Sequence, residues 1–152
     1  WAAPSGGKVL QITEGSTSSV VTNNTQTYAD TGLTATLTTT AANSKVLVIV
    51  NQNGLLRSAG SSFGHAVTLT LDEDAGTDRN TYTYLLYGNG AAGYVTDFRT
   101  MSLSFHYLTA AITSASTAKT FKTKFKNTTA TAGTGAWQHT GASTMILMEI
   151  AA

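Results

Sequence analysis

The sequence predicts an all-β protein: a single antiparallel β-sandwich, jelly-roll-like, of about 8–10 strands with little or no helix. Three observations carry that expectation. Threonine, a strand-favouring residue, occurs 29 times in 152 residues. Apolar and polar residues alternate with period 2 again and again, whereas helical periodicity is nearly absent. Clusters of Gly, Asn, Ser and Asp punctuate the alternating segments as turns would.

Residues 1–7, WAAPSGG, read as an N-terminal arm or linker, in which Trp1 favours an anchoring arm that docks and Pro4 with Gly6-Gly7 favours one that flexes; residues 8–152 read as one domain. The first strand is expected at Val9–Thr13, followed by Thr27–Asp30 and Leu33–Thr38. Lys45–Val50 differs because Val46-Leu-Val-Ile-Val50 is continuously apolar, which suits a central strand covered on both faces. Asn51-Gln52-Asn53-Gly54 then reads as a tight turn that ends it, because Asn-Gly readily takes positive φ. Strands follow at Ala66–Leu71 and Tyr82–Tyr87, and at Met101–Tyr107, where Met101, Leu103, Phe105 and Tyr107 share one face. Ala110–Ala118 reads as a loop or a short helical turn. Phe121–Phe125 places its phenylalanines inward and Lys122, Lys124 and Lys126 outward, like a strand near an edge guarded by lysines. Met145–Ile150 resembles Lys45–Val50 in character, and the two are expected to be central strands and neighbours.

A chain of this length hides roughly 70% of its unfolded surface and builds a core without staples. It contains no cysteine, which excludes disulfides and thiolate metal sites and fits assembly in a reducing cytosol. Charged residues make up 11% and the net charge is +1, so there is no electrostatic footprint for nucleic acid. No apolar run approaches the roughly 18 residues of a membrane span, so no membrane insertion is expected. The chain begins at Trp1 rather than at methionine, which fits a processed chain or a piece of a longer one.

Candidate chemistry is sparse. Asp72, Glu73, Asp74 and Asp78 cluster in LDEDAGTDRN, and Asp72, Asp74 and Asp78 are weak calcium candidates. The spacing lacks the glycine and terminal acid of an EF-hand, so a solvated hairpin turn is the stronger reading and no cofactor is expected. His65, His106 and His139 lie on separate segments without ligand spacing. No serine stands in a nucleophile-elbow context, and the acid pairs lack the cleft that a glycosidase couple works across, so no enzymatic activity is expected. Tyr87, Asn89, Tyr94 and Trp137 are candidate binding residues, since aromatic faces stack on sugars and amides bond to them.

KVLQITEGSTSS, YADTGLTATLTTTAANSKVLVIVNQNGL, MSLSFHYLTAAITSASTAKTFKTKFKN and the closing STMILMEIAA together resemble a domain of tailed-bacteriophage virion structural proteins. The most specific parts are Asp30-Thr31-Gly32-Leu33, Ser44–Val50 and Met148-Glu149-Ile150-Ala151-Ala152. The resemblance implies a β-sandwich of tail-fibre-like or capsid decoration proteins. It further implies a homotrimer, a place in the virion, contact with other virion proteins and attachment to a host surface glycan. The acidic stretch Asp72–Asp78 departs from that pattern. A carbohydrate-binding module of a bacterial surface protein is the non-viral alternative.

Overall fold

The computed structural model describes residues 7–58, 65–86, 98–127, 134–138 and 141–152. These form β1 (Val9–Thr17), β2 (Val21–Asn23), β3 (Ala29–Thr38), β4 (Lys45–Ser58), β5 (His65–Glu73), β6 (Thr77–Leu86), β7 (Phe98–Leu108), β8 (Ala118–Asn127), β9 (Thr134–Gln138) and β10 (Ser143–Ile150). There is no helix among the described residues, and Ala110–Thr117 is a loop tied down by an isolated bridge from Ile112 to Ser44.

The strands pair as nested hairpins: β5 with β6, β4 with β7, β3 with β8 and β1 with β10, all antiparallel. Lateral pairing of β10 with β4 and of β8 with β5 joins these hairpins into two sheets, β1-β10-β4-β7 and β3-β8-β5-β6. That winding of one long hairpin over two layers is the jelly-roll form of a β-sandwich. The short strands β9 and β2 extend the first sheet to six, with β9 pairing the C-terminal part of β4.

Alternation decides what lies between the layers. Val46, Val48 and Val50 of β4 and Met145 and Leu147 of β10 point inward against Leu33 and Leu37 of β3, Leu71 of β5 and Phe121 of β8, and all are buried. Lys45–Val50 and Met145–Ile150 are neighbours as expected, with Leu47 opposite Met148. The expectation that Lys45–Val50 is covered on both faces fails: Ile49 is 36% exposed and Leu47 half-buried.

Asn53-Gly54 is not a turn. β4 runs straight through it for 14 residues, because Asn53 pairs with Ser102 and Gly54 with both Met101 and Gln138. The ladder on both edges outweighs a local turn preference worth far less than several hydrogen bonds. Thr27–Asp30 and Leu33–Thr38 are likewise not two strands. Ala29–Thr38 is one strand that absorbs a register shift at Asp30/Thr34, with Gly32 at φ 85°.

At Gly15 the backbone of β1 passes close over β3. A Cβ there would lie 2.0 Å from the Thr34 carbonyl oxygen, so β1 can cross β3 only without a side chain. Gly15→Ala is expected to lower unfolding stability by about 1–3 kcal/mol in urea titration, through forced displacement of backbone. Gly76→Ala, where a Cβ meets nothing within 4 Å, should stay within about 0.5 kcal/mol of wild type.

Candidate functional site

The two sheets turn chemically opposite faces outward. On the four-stranded sheet, β8 is flanked by β3 and β5, so it is an interior strand and not the lysine-guarded edge expected from its sequence. Its lysines neutralise acids on the neighbouring strands instead. Lys122 Nζ lies 3.0 Å from Asp30 Oδ2, and Lys124 Nζ lies 3.1 Å from Asp72 Oδ2 and 2.9 Å from Asp78 Oδ1. Lys126 sits 4.5 Å above the Tyr28 ring. Threonine hydroxyls fill the rest: Thr36 pairs with Thr120, Thr68 with Thr83 and Thr70 with Thr81.

The acidic stretch spans the hairpin between β5 and β6, with Asp74 and Ala75 at φ 53° and 57°. Asp72, 2% exposed, accepts the Gly76 N–H at 2.9 Å besides its lysine. Lys119 bonds to Asp74 at 2.6 Å and Glu73 at 2.8 Å, and Arg79 bonds to Glu73 at 2.7 Å. Hydrogen bonds to Asp74 and Glu73 push the Lys119 pKa up. Burial pushes Asp74 up, but the Lys119 and Thr120 donors outweigh it and hold the carboxyl below its ordinary value. The three calcium candidates are thus each paired with lysine, and no metal-holding group of three His, Cys, Asp or Glu occurs among the described residues.

Two buried polar groups lock the layers together. Glu149 points inward from β10, fully buried, and accepts from Thr40 N (2.9 Å), Ala41 N (3.1 Å), Thr40 Oγ1 (2.8 Å) and Gln11 Nε2 (2.7 Å). Burial raises its pKa, yet the donors from Thr40, Gln11, Ser44 and Ala41 reverse that and lower it to about 2. At the other end of the sandwich, the Gln52 amide donates to Gln138 and to Ser143 Oγ (3.1 Å), and its oxygen accepts from Thr123 Oγ1 (2.8 Å). Sequence reasoning missed both, because an acid in TMILMEI and a glutamine in VNQNG declare their partners only through long-range contacts.

The outer face of the six-stranded sheet carries the one feature left without a partner in the described structure. Pairing aligns its outward residues in rows across β1, β10, β4 and β7. One row runs Ile12, Met148, Leu47, Leu108; the next runs Glu14, Ile146, Ile49, His106; a third runs Ser16, Thr144, Asn51, Ser104. Ile12 is 60% exposed and Leu108 47% exposed. Six aliphatic side chains therefore form one contiguous outward patch. The signal was present in Lys45–Val50 and Met145–Ile150, whose continuous apolar runs leave every second residue pointing away from the core.

Trp1, Pro4, Tyr87, Asn89, Tyr94 and His139 lie outside the described residues. Trp137 is placed by its backbone only, opposite Thr22 and Leu55 in the ladders of β9.

No family model and no curated protein matches the sequence. Three solved structures are similar in shape at low identity. The insecticidal delta-endotoxin Cry8Ea1 of Bacillus thuringiensis is 12% identical at TM-score 0.40, over 86% of this chain and 19% of that one. A structure of infectious bursal disease virus, Gx strain, is 15% identical at TM-score 0.46, over 93% of this chain and 32% of that one. Dimeric latent PorU from Porphyromonas gingivalis is 8% identical at TM-score 0.46, over 98% and 14%. This chain thus spans a third or less of each.

Glu149→Gln is expected to cost about 1.5–3 kcal/mol at pH 7, because an amide cannot accept from all these donors. The folded pKa lies below the ordinary 4.5, so the carboxylate's stabilisation is present above that value and is lost as pH falls through about 2. Denaturant titrations at descending pH should therefore show the gap between variant and wild type closing toward pH 2. Millimolar calcium should leave the thermal midpoint within about 1 °C of its value in EDTA, as expected for acids already neutralised by lysine; a rise of several degrees would make the acidic hairpin an ion site.

Proposed function

We propose that this chain is a non-catalytic structural domain of a tailed-bacteriophage virion, packed against protein through the aliphatic face of its six-stranded sheet. The single observation that carries the reading is the contrast between the two outward faces. One is covered by hydroxyls and lysine–carboxylate pairs that are satisfied where they stand. The other presents rows of Ile, Leu and Met to water, at a hydrophobic cost of about 25 cal/mol per Å² that packing against another protein surface would remove. The jelly-roll winding and the sequence resemblance support the viral setting.

Within that setting the leading role is a surface-exposed, fibre-type domain that attaches to host or glycan. Its binding residues would be those named from sequence, Tyr87, Asn89, Tyr94 and Trp137. Capsid decoration is the second reading, favoured by the breadth of the aliphatic face, which spans four strands and suits lying on a lattice.

Immunogold electron microscopy of particles from a culture that produces the chain tests this. Label along fibres or at their tips supports the first role, and label over the head supports decoration. Particles that carry no label anywhere would overturn the virion assignment.

A further inference from the structure

The aliphatic face is complementary to itself. In its second row a carboxylate stands at one end, Glu14 on β1, and an imidazole at the other, His106 on β7, with Ile146 and Ile49 between them. A two-fold axis lying in the plane of this face, parallel to the strands and between β10 and β4, turns a second copy over and reverses its lateral strand order. β1 then lies over β7 of the copy, and β10 over β4. Positions along the strands are kept, so each row meets itself reversed. Glu14 falls opposite His106 of the second copy and Ile146 opposite its Ile49, while Ile12 falls opposite Leu108 and Met148 opposite Leu47.

We infer that this face is the contact between two copies of the chain, an isologous interface in which each pairing occurs twice. The inference rests on the assembly reading above and names its partner. Charge is what selects that occupant. Glu14 and His106 would each be desolvated unpaired beneath an uncharged apolar partner, a costly arrangement. Opposite a second copy each is supplied with the other, and an imidazole N–H donates to a carboxylate in either protonation state of the ring. Lys45, also on this face, stands at the end of the sheet in the row of Ile150, where its stem can run out to water. The hydroxyl row Ser16, Thr144, Asn51, Ser104 also meets itself, so polar groups face polar groups. A glycan would find no aromatic platform in these rows. The geometry is two-fold, and differs from the three-fold assembly that the sequence resemblance implies.

Sedimentation equilibrium of the chain tests the contact. The expected mass is twice the 15.8 kDa of the chain. Ile49→Asp should weaken association at least about tenfold, since it places a carboxylate among desolvated aliphatics. Glu14→Lys and His106→Glu should each weaken it, by setting cation against imidazole or carboxylate against carboxylate. Their combination should restore association to within about threefold of wild type, because both residues are exposed and meet only across the two-fold. Circular dichroism of each variant separates loss of association from loss of fold, and the charge pair keeps the test decisive if Ile49→Asp does not fold. A monomer at high micromolar concentration, a mass of three chains, or a double variant no tighter than the singles would overturn the two-fold contact. None of those results touches the location of the chain in a particle, which the microscopy reads separately.

Discussion

The hydrogen-bond ladder of β4 is the constraint on which the six-stranded sheet depends. One edge of this 14-residue strand is shared end to end by β10 and β9, and the other is covered along Leu47–Arg57 by β7. Every strand of that sheet reaches the others through it, directly or by one neighbour. A break at Asn53-Gly54 would separate β9 and β2 from β10 and β1. Continuity is therefore maintained against the local turn preference, and the buried Gln52 side chain, bonded to Gln138, Ser143 and Thr123, holds the strand to both layers where its sequence turns polar.

Polar groups, rather than more hydrocarbon, align the layers at both ends. Glu149 near the C-terminus gathers the backbone of the β3–β4 connection and the Gln11 side chain of β1, so three distant pieces of chain share one carboxylate. With desolvation paid by neutral donors alone, the group holds its charge without a lysine. The ion pairs of the opposite sheet work differently. They are partly exposed, and their main effect is to leave lysines and acids mutually satisfied rather than to add much stability. The sandwich consequently has one face content with water and one that is not.

Strand identity was largely legible, because period-2 alternation depends on burial of one face and needs no knowledge of the partner. Met101–Tyr107, Phe121–Phe125 and Met145–Ile150 all fall inside observed strands. The short β2 and β9 were not legible, since three and five residues give no periodicity to read and exist only by pairing with each other and with β4. Lys122–Lys126 looked like an edge because their acids sit on β3, β5 and β6, as much as 92 residues away in sequence.

The class follows from local pattern alone: β-branched and aromatic alternation with turn clusters admits a sandwich and no helical fold. The sequence also contained both apolar runs, but not their meaning. Continuous hydrophobicity reads as burial on two sides, but the arrangement of the strands turns the second side outward. The physical reason is that a strand's inner face is set by its own alternation, whereas what covers its outer face depends on which strands lie beside it and which surface lies above. Those are long-range facts, and for Ile12, Leu47, Ile49, Leu108, Ile146 and Met148 they place six apolar residues from four separate strands in one patch.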